Sequence, residues 1–322
     1  MVAGLPKFRF NQSATQDSQN LRIRRVGWGG MNKFRHLAWF TPLLLYSSDA
    51  LAWGLYTHVY FAQQLVWAIP LADTRFRRAV CAFPGWVMAG ACLPDLSITG
   101  QYAGTHDFKL THQWDTARRL LEQASCDEER AIALGFASHL LVDIIAHNHF
   151  VPAHEKLWMN VPILTHASSE WAMDAHVKSH VYSSPAKLLK QNQNVLAHFA
   201  ASHFQCDPVK ARRAIMLLAH GDAVLRGSRL AEGLYHTGKV LDRNLKRRFN
   251  YYLRETSRRL VQINRVLEGH NPVWHPEPPM PHLAYDRVRS HTLRQINYRL
   301  PLPLDLFLEA DCLETSAWKP SA

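Results

Sequence analysis

The chain has 322 residues, 47% of them hydrophobic and 20% charged, which fits a soluble protein with a proper core and excludes an intrinsically disordered chain. Its formal net charge is +11, but there is no long Lys/Arg run and no nucleic-acid-binding module, so charge alone does not argue for nucleic acid. Five widely spaced cysteines without a CxxC argue against a thiolate zinc site and leave room for one or two disulfides. The 19 histidines, in contrast, point toward imidazole ligation of a metal.

Residues 31–52 read as an export leader. A basic stretch, Met31 to His36, precedes a short apolar run, Leu37 to Tyr46, and Ala50-Leu51-Ala52 has the small-x-small form of a cleavage site. The apolar run is too short to span a bilayer comfortably, and no other segment is read as a span. Cleavage after Ala52 makes Trp53 the new N-terminus. Residues 1–30 are polar and lack structure signals, which fits translation starting at Met31. The alternative is a disordered basic tail followed by a core helix.

From Trp53 onward the pattern is helical. Apolar positions at helical spacing over 55–69 stop at Pro70. The glycine-rich stretch 83–104, with Cys92-Leu93-Pro94-Asp95, reads as a short helix and a loop. Residues 113–125 predict an amphipathic helix. Asp127 suits an N-cap, and Arg130 to Phe150 is apolar on most sides, the mark of a central buried helix, with Pro152 ending it. Another helix covers 165–181 and ends near Pro185. Three or four more fill 186–268, the last long and basic. Its Lys246-Arg247-Arg248 reads as a solvated face, or as an attraction for anionic headgroups. Five prolines in 271–282 mark a linker or extended tail. No alternating strand of useful length occurs. The expected fold class is all-α, a multi-helix bundle with a metal cluster in its core. Its expected parts are a catalytic region over 53–185, a helical extension over 186–270 and a tail over 271–322.

The chemistry gathers on two of these helices. His139, Asp143 and His147 recur at four-residue spacing, so they stack on one face of the apolar central helix. A buried carboxylate is costly unless paired or bound to a metal, and two imidazoles beside it make a natural zinc set. A polar stripe or hydrogen-bonded core histidines would give the same spacing. His166 and Glu170 repeat the i, i+4 arrangement on the next helix. Upstream stand Trp53, His58, Pro94-Asp95, His106 and His112, each weak alone.

Taken in order, Trp53, His58, Pro94-Asp95, a loop histidine, His139-x3-Asp143, a further histidine and His166-x3-Glu170 resemble the zinc-dependent phospholipase C family, to which the P1-type nucleases are related. The resemblance covers about residues 53–180. It implies an all-helical hydrolase of phosphodiester bonds with two or three zinc ions. Trp53, through its own amino and carbonyl groups, and His58 would hold one ion, with Asp143 bridging. Asp95, the loop histidine and His139, with Asp143, would hold the second. A histidine after Asp143, with His166 and Glu170, would hold the third. The loop histidine is His112 or His106, with His112 favoured because Thr111-His112-Gln113-Trp114 opens a helix. The later one is His147 or His149. The spacing in the secreted phospholipases and nucleases selects His149, and that in the relatives cleaving lipid anchors selects His147, which an unbroken helix also favours. Asp95 and Asp143 are the implied catalytic carboxylates, Asp95 orienting the attacking water or taking its proton. Glu170, where the nucleases carry aspartate, tilts toward the phospholipases. The implied partner is a phospholipid or other phosphodiester, with peripheral contact to a membrane surface. Nucleic acid enters only under the alternative of an exported nuclease or phosphomonoesterase. A non-catalytic helical metal-binding protein is the reading from another class.

Overall fold

The computed structural model describes residues 54–158 and 162–270, together with Pro272 and Pro276; the leader, Trp53, Cys312 and almost all of the 271–322 tail lie outside the described residues. Every regular element among the described residues is helical, as the sequence pattern predicts.

A single long rod organises the bundle. Helix α6 (Asp127–Ile145) runs through a widened π turn (Ala146–Phe150) directly into α7 (Val151–Leu157). Every residue from Ala131 to Ile145 is buried, so the rod is central because it has no polar face to give to water. By length and composition Asp127–Glu155 would suffice to cross a membrane, a property the sequence reading did not assign to it; 94% of its apolar window is buried against other helices. Pro152 does not end the rod. The π turn resets the hydrogen-bond register, and the proline then falls in the first turn of α7, where its missing N–H is not needed. Nor is Asp127 the cap. Cys126 occupies that position, while Asp127 pairs with Arg78 at 2.5 Å and Arg130 at 2.9 Å.

Around the rod pack α1 (Leu55–Trp67), α2 (Thr74–Ala82), α3 (Pro84–Gly90) and α5 (Trp114–Gln123). The stretch read as a helix and a loop holds two helices, α3 and α4 (Leu96–Ala103), joined by a tight turn over 91–95. The α3–α6 crossing needs glycine on both sides. A Cβ on Gly90 would stand 2.3 Å from the Ile132 carbonyl oxygen, and one on Gly135 would stand 2.0 Å from that of Val87. This close approach presses the turn carrying Ala91 and Asp95 onto the middle of the rod.

Helix α8 (Pro162–Val177) packs on α1 and α7. Helices α9 (Pro185–Phe204) and α10 (Pro208–Gly227) pack together and lie on α3 and α4, where the Thr99 hydroxyl donates to the Ala214 carbonyl at 3.0 Å. Both start with proline behind a capping side chain, Ser184 and Asp207. Helix α11 (Leu230–Leu241) rests on α8, α12 (Leu245–Arg259) reaches α6, and α13 (Ile263–Leu267) follows. One apolar core runs from Leu55 to Val266. Cys81, Cys92, Cys126 and Cys206 are all free, so no disulfide forms among the described residues. The basic trio divides: Lys246 and Arg247 are exposed, but Arg248 is only 2% exposed, which corrects the reading of a wholly solvated face.

Candidate metal centre

Asp143 lies fully buried at the middle of the rod, with His139 one turn before it. Its Oδ1 is 3.2 Å from His58 Nε2, delivered by α1, and its Oδ2 is 2.9 Å from His139 Nε2. The His58 and His139 rings stack at 3.6 Å between centroids, 9° from parallel. His139 Nδ1 donates to the Ala91 carbonyl at 2.8 Å, so its Nε2 turns toward the carboxylates. The glycine-on-glycine crossing is what places that carbonyl.

Two short turns complete this end. Asp95 precedes α4 in the cap position, but its carboxylate caps nothing. It points instead at the rod, with Oδ1 3.6 Å from His112 Nε2 and 3.8 Å from His139 Nε2. His112 Nε2 is in turn 3.2 Å from His139 Nε2 and 3.7 Å from Asp143 Oδ2. The Thr111 hydroxyl donates to the Pro94 carbonyl at 2.6 Å, tying the His112 turn to the Asp95 turn. The result is two overlapping donor groups, His58–His139–Asp143 and Asp95–His112–His139, all of whose members are buried. His106 is exposed and belongs to neither.

A third group forms where the rod changes register. His147 sits in the π turn and its ring faces His166, with centroids 5.2 Å apart. His166 Nε2 is 2.9 Å from Glu170 Oε1, and the three side chains converge as one donor set. His149, two residues further on, is also buried but is not in this group; burial, with Arg259 adding to it, pushes His149 down to about 3. Among the described histidines after Asp143, geometry thus brings His147 to His166 and Glu170. Trp53 lies outside the described residues.

Electrostatics separates the two ends. Burial disfavours the charged form of both His139 and Asp143, but each outweighs that cost for the other. Asp143, with Asp95, raises His139, and His139, with His58, holds Asp143 well below the usual carboxylate range. His58 goes down, through burial and the neighbouring His139. In the third group burial dominates, pushing Glu170 up to about 8 despite His166 and His147 down to about 3. Glu170 and His147 are therefore both pushed toward their neutral forms, whereas Asp143 is held ionised.

Sequence reasoning missed a supporting cluster beside this centre. Asp174, the next member of the His166–Glu170 stripe on α8, caps α1 from outside. It accepts from the Thr57 N–H at 2.9 Å, the Tyr56 N–H at 3.3 Å and the Thr57 hydroxyl at 2.8 Å. Arg226 on α10 donates to it at 2.5 Å and also reaches Asp222 at 3.4 Å. Gly54 is needed here, because a Cβ would stand 2.2 Å from Asp174 Oδ2. The four-residue spacing was the available signal for Asp174. Arg226, 52 residues away, offered none.

A family model described as zinc dependent phospholipase C matches residues 57–212. Over that segment the chain belongs to the zinc-dependent phospholipase C family. The match takes in every candidate ligand except Trp53 and runs past the 53–180 span of the resemblance, through α9 and into α10. Comparison with curated proteins found no match, and comparison with solved structures found none.

The residues present fit the metal this family name implies. His58 Nδ1 and Nε2, Asp95 Oδ1, both oxygens of Asp143, His147 Nε2 and Glu170 Oε1 are buried without a hydrogen-bond partner. Several stand near a neighbour's nitrogen or oxygen but are not aligned to bond it. Imidazole nitrogens and carboxylate oxygens converging in this way match zinc's preferred donors, and a cation among them would offset the cost of their burial.

Proposed function

We propose that the protein is an exported zinc-dependent phospholipase C, cleaving the phosphodiester bond between a phospholipid's glycerol backbone and its headgroup. The observation that carries this reading is the convergence of three buried His/Asp/Glu groups, with their unpartnered donor atoms, inside the segment that matches the family. In this reading two or three ions are held. His58, His139 and Asp143 would bind one, Asp95, His112 and His139 a second, and His147, His166 and Glu170 a third. Trp53 would add its amino and carbonyl groups beside His58. Zinc so bound supplies Lewis-acid chemistry, acidifying water and neutralising phosphate oxygens.

The chain's own residues do the positioning. Asp143 is fixed between two imidazoles and stays ionised. The Ala91 carbonyl locks the His139 ring so that Nε2 faces inward. Asp95 is the more accessible catalytic carboxylate, at 4% exposure against 0% for Asp143, and is free of any capping duty. It orients the attacking water and takes its proton. The products are diacylglycerol and a phosphorylated headgroup, so the enzyme meets a membrane surface while bound to substrate. Export places Trp53 at the chain's start: residues 31–52 act as a leader cut after Ala52, and α1 opens two residues later.

The test is direct. Zinc-loaded protein is assayed on phosphatidylcholine vesicles and on single-stranded DNA, with N-terminal sequencing of the secreted form. Diacylglycerol release by a chain beginning at Trp53 is the expected result. Nucleotide release without diacylglycerol would replace the phospholipase with the nuclease. Neither activity from a zinc-loaded chain would leave a non-catalytic metal-binding protein.

A further inference from the structure

A cavity of about 490 Å³ opens between α8, α11 and α12, away from the metal centre. Ser168 lines it. That residue is two positions from both His166 and Glu170, so it faces about 200° round α8 from them. Trp158, Leu234 and Leu241 give the cavity an apolar wall, and Asp242, Arg243 and Arg248 give it a charged end. The size suits a small organic molecule rather than a bare ion.

Arg248 is the unusual member. It is 2% exposed, although a buried guanidinium is costly. Asp242 pairs with one of its terminal nitrogens, but its Nε is buried with no partner. Arg243 sits exposed at the rim, so the three side chains sum to a formal positive charge. The same end of the cavity is the N-terminus of α12, 15 residues long, where Asn244 makes no side-chain cap and Asp242 Oδ1 accepts from the Asn244 N–H at 3.0 Å. A helix N-terminus and an unfilled guanidinium donor favour the same kind of ligand, an anion with several acceptor oxygens.

We propose that this cavity is a second ligand site that takes a small organic phosphomonoester, its phosphate on Arg248 and the α12 N-terminus and its apolar body against Trp158 and Leu234. The inference stands apart from the reaction at the metal centre and does not need it.

The experiment is calorimetric titration of the full-length, zinc-loaded protein with phenylphosphonate, which carries the same dianion on a ring and is not hydrolysed, and separately with inorganic phosphate. Wild type is compared with Arg248→Met and Arg243→Glu. Binding at the metal centre is common to all three proteins. The cavity site is expected to weaken by at least about tenfold in both variants, and to prefer phenylphosphonate over inorganic phosphate by a similar factor, with lipid hydrolysis unchanged. Equal affinities in the three proteins would overturn the site. So would inorganic phosphate binding as tightly as phenylphosphonate, since the apolar wall would then play no part. Arg243 is exposed, so its variant decides the matter if Arg248→Met does not fold.

Discussion

Two buried polar clusters lie against α1, and they differ in how their polar atoms are used. Around Asp174 the carboxylate accepts from Tyr56, Thr57 and Arg226, and the Arg226 guanidinium also covers the Tyr56 ring at 4.8 Å. Around Asp143 the same residue type faces only imidazole nitrogens, and neither oxygen has an aligned donor. Both clusters contain fully buried aspartates in helices of the same bundle. The first satisfies its carboxylate within the protein, leaving only Arg226 Nη1 unpartnered, and does architectural work. The second has donor atoms to spare, as a site built for a cation must.

Substitutions can sharpen or break this contrast. The largest effect on activity is expected from Asp143→Ala, which removes the carboxylate shared by two imidazoles; lipid hydrolysis should fall to background and bound zinc should decrease, while the helical circular dichroism signal persists. Retained activity with full zinc would remove Asp143 from the centre. Asp174→Ala should act on stability instead. It strips α1 of its cap and leaves Arg226 with one partner, a loss of about 3–5 kcal/mol. Thermal unfolding should shift down by roughly 10 °C with zinc present or absent. A shift seen only in the zinc-loaded protein would make Asp174 part of the metal centre. Gly54→Ala pushes a methyl into the same carboxylate and should cost about 1–3 kcal/mol in a chemical denaturation series. No change there would mean that α1 starts in a different position.

The smallest effect concerns pH. Burial outweighs the adjacent Arg226 and, with the Asp174 charge, pushes Asp222 up to about 6. Its folded pKa thus exceeds the ordinary carboxylate value of about 4, so the stability it contributes is present below about pH 4 and lost as pH rises through 6. Asp222→Asn, which cannot ionise, should gain on wild type between pH 4 and 7 in paired melting curves. A constant gap would show that Asp222 ionises normally.

Much of this was legible in the sequence because helical periodicity carries it. The His139–Asp143 and His166–Glu170 stripes, the buried character of 130–150 and the all-helical class follow from spacing alone. The limits of the rod did not. Pro152 normally stops a helix, and only the π turn before it allows the chain to continue. That same turn decides which histidine meets His166, since a register change cannot be read from four- or six-residue spacing. Arg248 looked solvated beside Lys246 and Arg247, because a run of like charges on a helix does not reveal which member turns inward. The Asp174–Arg226 pair was hidden by distance along the chain, as most tertiary ion pairs are. Gly90 and Gly135 likewise gain meaning only from the crossing that requires them.

If the buried His/Asp/Glu groups hold zinc, the metal stays with the chain through dialysis. Elemental analysis of the secreted, dialysed protein tests this most directly, run beside the Asp143→Ala variant. Two or three zinc ions per wild-type chain, with fewer in the variant, is the expected result. A wild-type chain that retains no zinc after loading would contradict the account, and the unpartnered atoms around Asp143 would then need another explanation.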